Sequence, residues 1–266
     1  MSKIGILDSG VGGLSVLKEV YFNNLADEVY FLGDTKYFPY GIKPVEFIQE
    51  RVFEIVSFFK NFGVEEVIVA CNTASSVAYD FLVDNFRDIK IHSIVLGAIE
   101  GIKSYTFKKV GVLATKRTKE SNIYPNLIHE RISKNVEVYV QSCSEGPLLE
   151  TIEKGIVEGE IIEKEIIKCT DPLVENGIEG LILGCTHLPF IKGVIKNLYP
   201  NLFIVDPSLE VVRFLSKTNS IDEKNVEIFV TGEAEEFQAI LNKLLGTNWT
   251  VKKVSLDRRD ISVIKG

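Results

Sequence analysis

One pattern constrains this chain more than any other, and it occurs twice. A strand-like run, Glu65 to Ala70, ends on Cys71 and is followed by Asn72-Thr73-Ala74-Ser75 and a helical periodicity. A second apolar run, Ile178 to Leu183, leads through Gly184 to Cys185-Thr186-His187-Leu188-Pro189. A buried strand that stops at a cysteine and hands over to a helix leaves the sulfur at the carboxyl end of a sheet, where open α/β sheets bind ligands. A cysteine at a helix start also meets the positive end of the helix dipole, which is expected to favour the thiolate. The repetition predicts two related halves facing each other across a cleft, each contributing one sulfur.

The rest of the chain agrees. Strand and helix patterns alternate almost without interruption, which predicts an α/β fold with parallel sheets and helices on both faces. The helix opened by Pro44 carries Ile48, Val52, Ile55, Val56, Phe59 and Phe62 at helical spacing, a core stripe. Further strands are expected at Ile89–Val95, Lys109–Ala114 and Val136–Gln141, and further helices from Thr118 to about Ile132 and from Leu209 to Ser216. About ten strands suit two sheets better than one. The expected architecture is two pseudo-symmetric, doubly wound parallel-sheet domains across an active-site cleft. The first would comprise 1–96 plus 208–266 and the second 97–207.

Three loops at expected strand ends carry chemistry. Asp8-Ser9-Gly10-Val11-Gly12-Gly13 follows the first strand. Its glycine spacing fits neither a dinucleotide fingerprint nor a P-loop. It either seats a small carboxylate, with Asp8 pointing into the site, or is a tight turn with Asp8 as a helix cap. The second strand runs into Gly33-Asp34-Thr35 and Tyr37-Phe38-Pro39-Tyr40-Gly41, a candidate ligand wall or an irregular connection capped by Asp34. Thr115 and Thr118 place hydroxyls at a third junction.

Composition narrows the function. A net charge of −7 argues against a general nucleic-acid binder. The basic cluster Lys116-Arg117-Thr118-Lys119 reads as a solvated helix start. No signal-like segment or membrane-spanning run stands out, so a cytoplasmic setting with reduced thiols is expected. Of the four cysteines, Cys143 and Cys169 lack the strand-to-helix setting and read as small buried apolar residues. His92 and His129 read as structural.

Two thiols facing one cleft suit a particular task. One removes a proton from carbon and the other returns one to the opposite face, inverting a stereocentre. A single-nucleophile reading would pair Cys185 with His187 and leave Cys71 without a use. A zinc reading could draw on Cys71, Cys185, His187 and Asp8, but the close spacing usual for zinc is missing. A two-lobed solute-binding module would share the architecture without the chemistry.

These motifs together, Asp8-Ser9-Gly10-Val11-Gly12-Gly13-Leu14, Gly33-Asp34-Thr35 with Pro39-Tyr40-Gly41, Ala70-Cys71-Asn72-Thr73-Ala74 and Gly184-Cys185-Thr186-His187-Leu188-Pro189, resemble those of the glutamate racemases over essentially the whole chain. The resemblance implies interconversion of L- and D-glutamate without a cofactor or metal, supplying D-glutamate for peptidoglycan, in a homodimer. It implies that Cys71 deprotonates the D-isomer and Cys185 the L-isomer, assisted by Asp8 and His187 respectively. It places Ser9, Tyr40, Gly41, Asn72, Thr73, Thr115, Thr118 and Thr186 in contact with substrate, together with Asp8 and His187. Asp34 and Glu150 match further acidic positions. Where the family commonly has Cys-Pro, this chain has Cys143-Ser144, so the contacts between halves there are expected to differ. The aspartate racemases are a related alternative, but they tend to carry Glu at the position of His187.

Overall fold

The computed structural model describes residues 2–215 and 225–256. Ser216, with which one expected helix closes, and the segments 216–224 and 257–266 of the expected first domain lie outside the described residues. The strands are β1 (Lys3–Asp8), β2 (Glu28–Gly33), β3 (Glu66–Val69), β4 (Lys90–Ser93), β5 (Lys109–Ala114), β6 (Glu137–Ser142), β7 (Gly180–Gly184), β8 (Phe203–Val205), β9 (Asn225–Val230) and β10 (Val251–Lys253). The helices are α1 (Leu14–Phe22), α2 (Val45–Lys60), α3 (Asn72–Asn85), α4 (Ile94–Ile102), α5 (Lys116–Glu120), α6 (Ile123–Arg131), α7 (Leu148–Glu153), α8 (Glu160–Glu175), α9 (Lys192–Leu198), α10 (Pro207–Val211) and α11 (Ala234–Leu245). Two sheets form, in the orders β10-β9-β2-β1-β3-β4 and β6-β5-β7-β8. Every strand pair is parallel. The expected α/β architecture with two parallel sheets is therefore present, with six strands in one and four in the other.

Parallel strands buried on both faces need apolar side chains in both directions, and the core has three layers to match. Leu7, Leu32, Val67 and Val69 of the first sheet pack with α2 and α3, where Ile48, Val52, Ile55 and Phe59 line the buried stripe. Leu113, Leu181 and Leu183 of the second sheet pack with α7, α8 and α9. The inner faces of both sheets share one core, which runs from Ile4, Ile6 and Phe31 through Leu14, Val95, Ile99 and Val211 to Val110, Val112 and Ile182. The chain passes between the sheets at α4 and at α10. At this crossing Gly97 lies against Val211 so closely that a Cβ would sit 2.7 Å from the Val211 Cα.

Several expected elements are cut differently. Ile94 and Val95 read as the end of a strand but form the first turn of α4, capped by the Ser93 hydroxyl, which accepts from Leu96 N. α4 is apolar almost all round because both its faces are buried, so its periodicity does not separate it from a strand. The helix expected up to Ile132 is two helices, broken at Asn122, whose φ of 52° turns the chain. No α-helix starts at Cys185. The chain turns and enters a 3-10 segment, Leu188–Ile191, before α9.

Candidate active site

Register brings the functional loops together. Asp8 pairs with Gly33 at the ends of β1 and β2, and Leu7 pairs with Val69 two positions before Cys71. In the second sheet Ala114 pairs with Gly184, so Thr115 and Cys185 leave adjacent strands at one level. Both sets of strand ends open on a single cavity of about 20 Å³, lined by Ser9, Phe38, Pro39, Tyr40, Gly41, Cys71, Asn72, Thr73, Thr115, Leu149, Cys185, Thr186 and His187. A larger cavity of about 480 Å³ lies behind Asp34, between Lys36, Arg51 and Lys253. It holds neither thiol, and two of its cations are already engaged, Arg51 with Asp34 and Glu54 and Lys253 with Glu233. The smaller cavity, where both thiols meet, is the candidate site.

The two cysteines have different surroundings. Cys71 caps α3, its sulfur accepting from Ala74 N at 3.5 Å and lying 3.8 Å from Ser9 Oγ. The helix start was expected to favour its thiolate. Instead burial, reinforced by the nearby Asp8 carboxylate, pushes the Cys71 thiol up to about 12, and the Ala74 and Ser9 hydrogen bonds only partly offset this. Desolvation of a charge outweighs one weak amide contact. Cys185 has no helix start at all. Its sulfur lies 3.6 Å from His187 Nδ1. The opposite ring nitrogen, Nε2, is 2.6 Å from Glu153 Oε2. Burial alone would lower the His187 pKa, but the Cys185 and Glu153 partners outweigh it and hold the ring well above its ordinary value. The result is an imidazole ring bridging a carboxylate and a sulfur, with its charged form favoured.

Asp8 is completely buried. It accepts from Gly10 N at 2.9 Å and from the Thr186 hydroxyl at 3.1 Å. Burial raises its carboxyl to about 6, against the lowering effects of His187 and the Gly10 amide. The Asp8 loop is a tight turn, closed by the Gly10 N to Asp8 bond; Ser9 lines the cavity, whereas Asp8 stands behind it and caps neither following helix. Glu153 spans the cleft: besides His187 it accepts from Val11 N at 3.1 and 3.2 Å.

The hydroxyls cluster as expected. Thr73 and Thr115 share a hydrogen bond across the lobes at 2.9 Å, and Thr115 shares another with Thr118 at 3.0 Å. Thr118 does not line the cavity but stands behind Thr115. Tyr40 donates to Asp34 at 2.5 Å, and Asp34 also accepts from Arg51 and from Thr231. Asp34 therefore holds the Tyr40 wall from outside the cavity. Gly41 allows the same wall to approach the second lobe, since a Cβ there would lie 3.3 Å from the Thr115 Cβ.

The acidic position matched on α7 carries no assigned role. Glu150 is exposed, and it is Glu153, one turn later, that reaches the site. The α7 sequence places acids three apart on one face. Which of them meets the cleft depends on His187, remote in sequence, and no local signal marks it. Phe38 and Pro39 of the candidate ligand wall line the cavity, as does Leu149, which was not read as a site residue; Tyr124, behind the wall, was not singled out either. Cys143 and Cys169 are buried, donating to Ala114 O and Ile166 O, as expected of small core residues. His92 pairs with Glu66, and His129 with the Val136 carbonyl. Among the described residues no group of three or more His, Cys, Asp or Glu side chains is arranged to hold a metal ion, and no helix is long and apolar enough to cross a membrane.

Fold and site define a class: a two-lobed α/β protein with an opposed thiol pair at its domain interface, each thiol attended by an acid or imidazole. Comparison with known proteins gives the family. A family model described as Asp/Glu/Hydantoin racemase matches residues 24–215. The chain is 38% identical over 253 residues to the glutamate racemase of Sulfurihydrogenibium sp. (strain YO3AOP1), covering 94% of this chain and 96% of that one. Among solved structures, glutamate racemase from Francisella tularensis in complex with D-glutamate superposes with a TM-score of 0.86 at 30% identity, over 96% of this chain and 98% of that one. The RacE1 isoform from Bacillus anthracis also gives 0.86, at 32% identity and the same coverages. The aspartate racemase of Picrophilus torridus shares the fold, with a TM-score of 0.53 at 18% identity over 80% of this chain. The chain belongs to the Asp/Glu/hydantoin racemase family: it is an amino-acid racemase, and the relatives named above at 30% identity or more are glutamate racemases.

Proposed function

We propose that the chain interconverts L- and D-glutamate by two-base proton transfer at the α-carbon, with Cys71 and Cys185 as the two acid/base groups. The observation that carries this reading is the arrival of one sulfur from each sheet at a single cavity. The D-glutamate in the Francisella structure supports the substrate, and His187 in place of the glutamate typical of aspartate racemases agrees.

The asymmetry of the site supports different starting roles for the two thiols. Cys71, held high by burial and Asp8, rests as the proton donor. Cys185, 3.6 Å from His187 Nδ1, acts as the base. In the L-to-D direction Cys185 takes the α-hydrogen and the Cys71 thiol delivers a proton to the other face. Thiolate and thiol have then exchanged places, and the D-to-L direction runs from that state. Asp8 assists Cys71, and the Glu153–His187 pair assists Cys185.

The α-hydrogen is a very weak acid, and the residues have no electron sink of their own to offer beyond polar contacts. Donors aimed at the α-carboxylate stabilise the charge that moves onto it. Ser9, Asn72, Thr73 and Thr186 supply such donors, with Tyr40, Gly41 and Thr115 closing the wall. The cavity is on the order of one water molecule in size, so an amino acid enters only when the lobes part. Closure then removes water and strengthens every polar contact inside. We assign the lobes to 1–96 plus 208–266 and to 97–207. Supply of D-glutamate to peptidoglycan, a cytoplasmic setting and a homodimeric assembly complete the reading.

Racemisation of L-glutamate in heavy water, without added cofactor, tests it. Optical rotation should decay to zero while deuterium enters the α-carbon. Cys71→Ser and Cys185→Ser should each lose racemisation by at least about a hundredfold in both directions, the scale of one general acid or base. Binding of glutamate without α-deuteration would identify a solute-binding module instead. Faster turnover of aspartate would overturn the substrate assignment.

A further inference from the structure

We propose that Tyr124, a second-lobe residue with no assigned role, is a positioning residue that orients the Asn72 amide toward the α-carboxylate of the substrate. The inference rests on the racemase reading above and extends it to a residue outside the cavity wall.

Tyr124 lies in the first turn of α6, just after the bend at Asn122, and is completely buried. Its ring packs beside Gly184, where a Cβ would lie 3.2 Å from Tyr124 Cε2, immediately before Cys185. Its hydroxyl reaches across the lobe boundary and donates to Asn72 Oδ1 at 2.6 Å. Asn72 is itself buried, lines the cavity and adjoins Cys71. With Oδ1 held by the phenol, the opposite end of the amide is fixed. That end, Nδ2, is buried and has no hydrogen-bond partner among the described residues.

A buried amide nitrogen without an acceptor is unfavourable unless something supplies one. An amide can rotate to exchange its oxygen and nitrogen, so an unrestrained Asn72 could present either an acceptor or a donor to the site. A phenol is a good donor to a carbonyl oxygen, and it selects the orientation in which the NH₂ group faces the ligand. A carboxylate accepts from that group and is repelled by the alternative. Because Asn72 follows Cys71, the carboxylate in reach is the one on the reacting carbon. The bond bridges the lobes, so it is complete only when they close.

The test is a double-mutant cycle on glutamate racemisation with Tyr124→Phe, Asn72→Ala and the pair. Tyr124→Phe keeps the ring and removes only the donor. It should lower kcat/KM about tenfold in both directions, raising KM because the carboxylate is already charged in the ground state and lowering kcat because it gains charge in the transition state. In the Asn72→Ala background the same change should have no further effect, since its only route of action is gone. A purely structural Tyr124 would instead lower the melting temperature and give losses that multiply. If Tyr124→Phe folds too poorly to assay, Asn72→Asp serves. It keeps an acceptor for the phenol but turns oxygen toward the substrate, and should raise KM by more than Asn72→Ala does. Multiplicative losses, an unchanged KM in Tyr124→Phe, or an Asn72→Asp variant that binds glutamate as well as Asn72→Ala overturns the proposal. An inactive wild-type enzyme would instead refute the racemase reading itself.

Discussion

Asp8 is a buried carboxylate whose ionised form costs the fold stability. Its carboxyl is raised from 3.8 to about 6, chiefly by burial. A folded-state pKa above the unfolded value means that the protonated form favours the fold. That contribution is complete below about pH 4 and is lost as pH rises through about 6. Above pH 6 the ionised Asp8 is therefore a burden, of at most about 3 kcal/mol for a shift of this size. Asp8→Asn should melt higher than the wild type at pH 8, with the advantage vanishing by pH 4, and should lose most of its activity. Thermal melts at the two pH values check the sign. The wild-type kcat/KM should also fall below about pH 6, and that limb should be absent from any residual activity of Asp8→Asn.

Among the elements, the glycine loop between β1 and α1 sets how closely the lobes meet. A Cβ on Gly12 would overlap Thr186 Oγ1 and lie 2.8 Å from His187 Nδ1, and one on Gly10 would press on the Glu153 carboxylate. Both obstacles belong to the opposite lobe. Gly12→Ala therefore leaves each lobe's own core intact and opposes only their approach. It should cut kcat/KM by at least about a hundredfold, since an ångström-scale misplacement at a reacting centre has that effect. Its melting temperature should change little, because the clash is relieved by opening. Measured kinetics alongside a melting curve separate the two. α3 and the segment after β7 make a further contrast. The first begins at its cysteine and the second does not, so one thiol is conditioned by burial and a helix amide and the other by an imidazole.

At the scale of the whole molecule, closure rests on a few polar contacts across the cleft. Glu153 with Val11, Thr186 with Asp8, Thr73 with Thr115 and Tyr124 with Asn72 all bridge the sheets. The inner core through α4 and α10 is the apolar continuity between the lobes. If the lobes part to admit substrate, these polar contacts are the ones that break while the shared core holds. In hydrogen exchange, amides of residues 10–13 and 186–188 should exchange faster than those of β1, β5 and β7, and D-glutamate should slow the former selectively. Equal protection in the two regions without ligand would show that the lobes do not part.

The sequence alone determined the alternating pattern, both parallel sheets and the two strand-end cysteines, because burial on both faces of a parallel strand demands long apolar runs that any reader can see. It also placed Asp8, Asn72, Thr115 and His187 at strand ends, where loops meet ligands. Only the tertiary structure decided which acid of α7 reaches His187, that burial raises the Cys71 thiol and that the Tyr124 hydroxyl meets Asn72. Each of these depends on a partner far away in the chain or on desolvation. Burial and through-space charge are properties of the packed molecule, and no local stretch of residues encodes them.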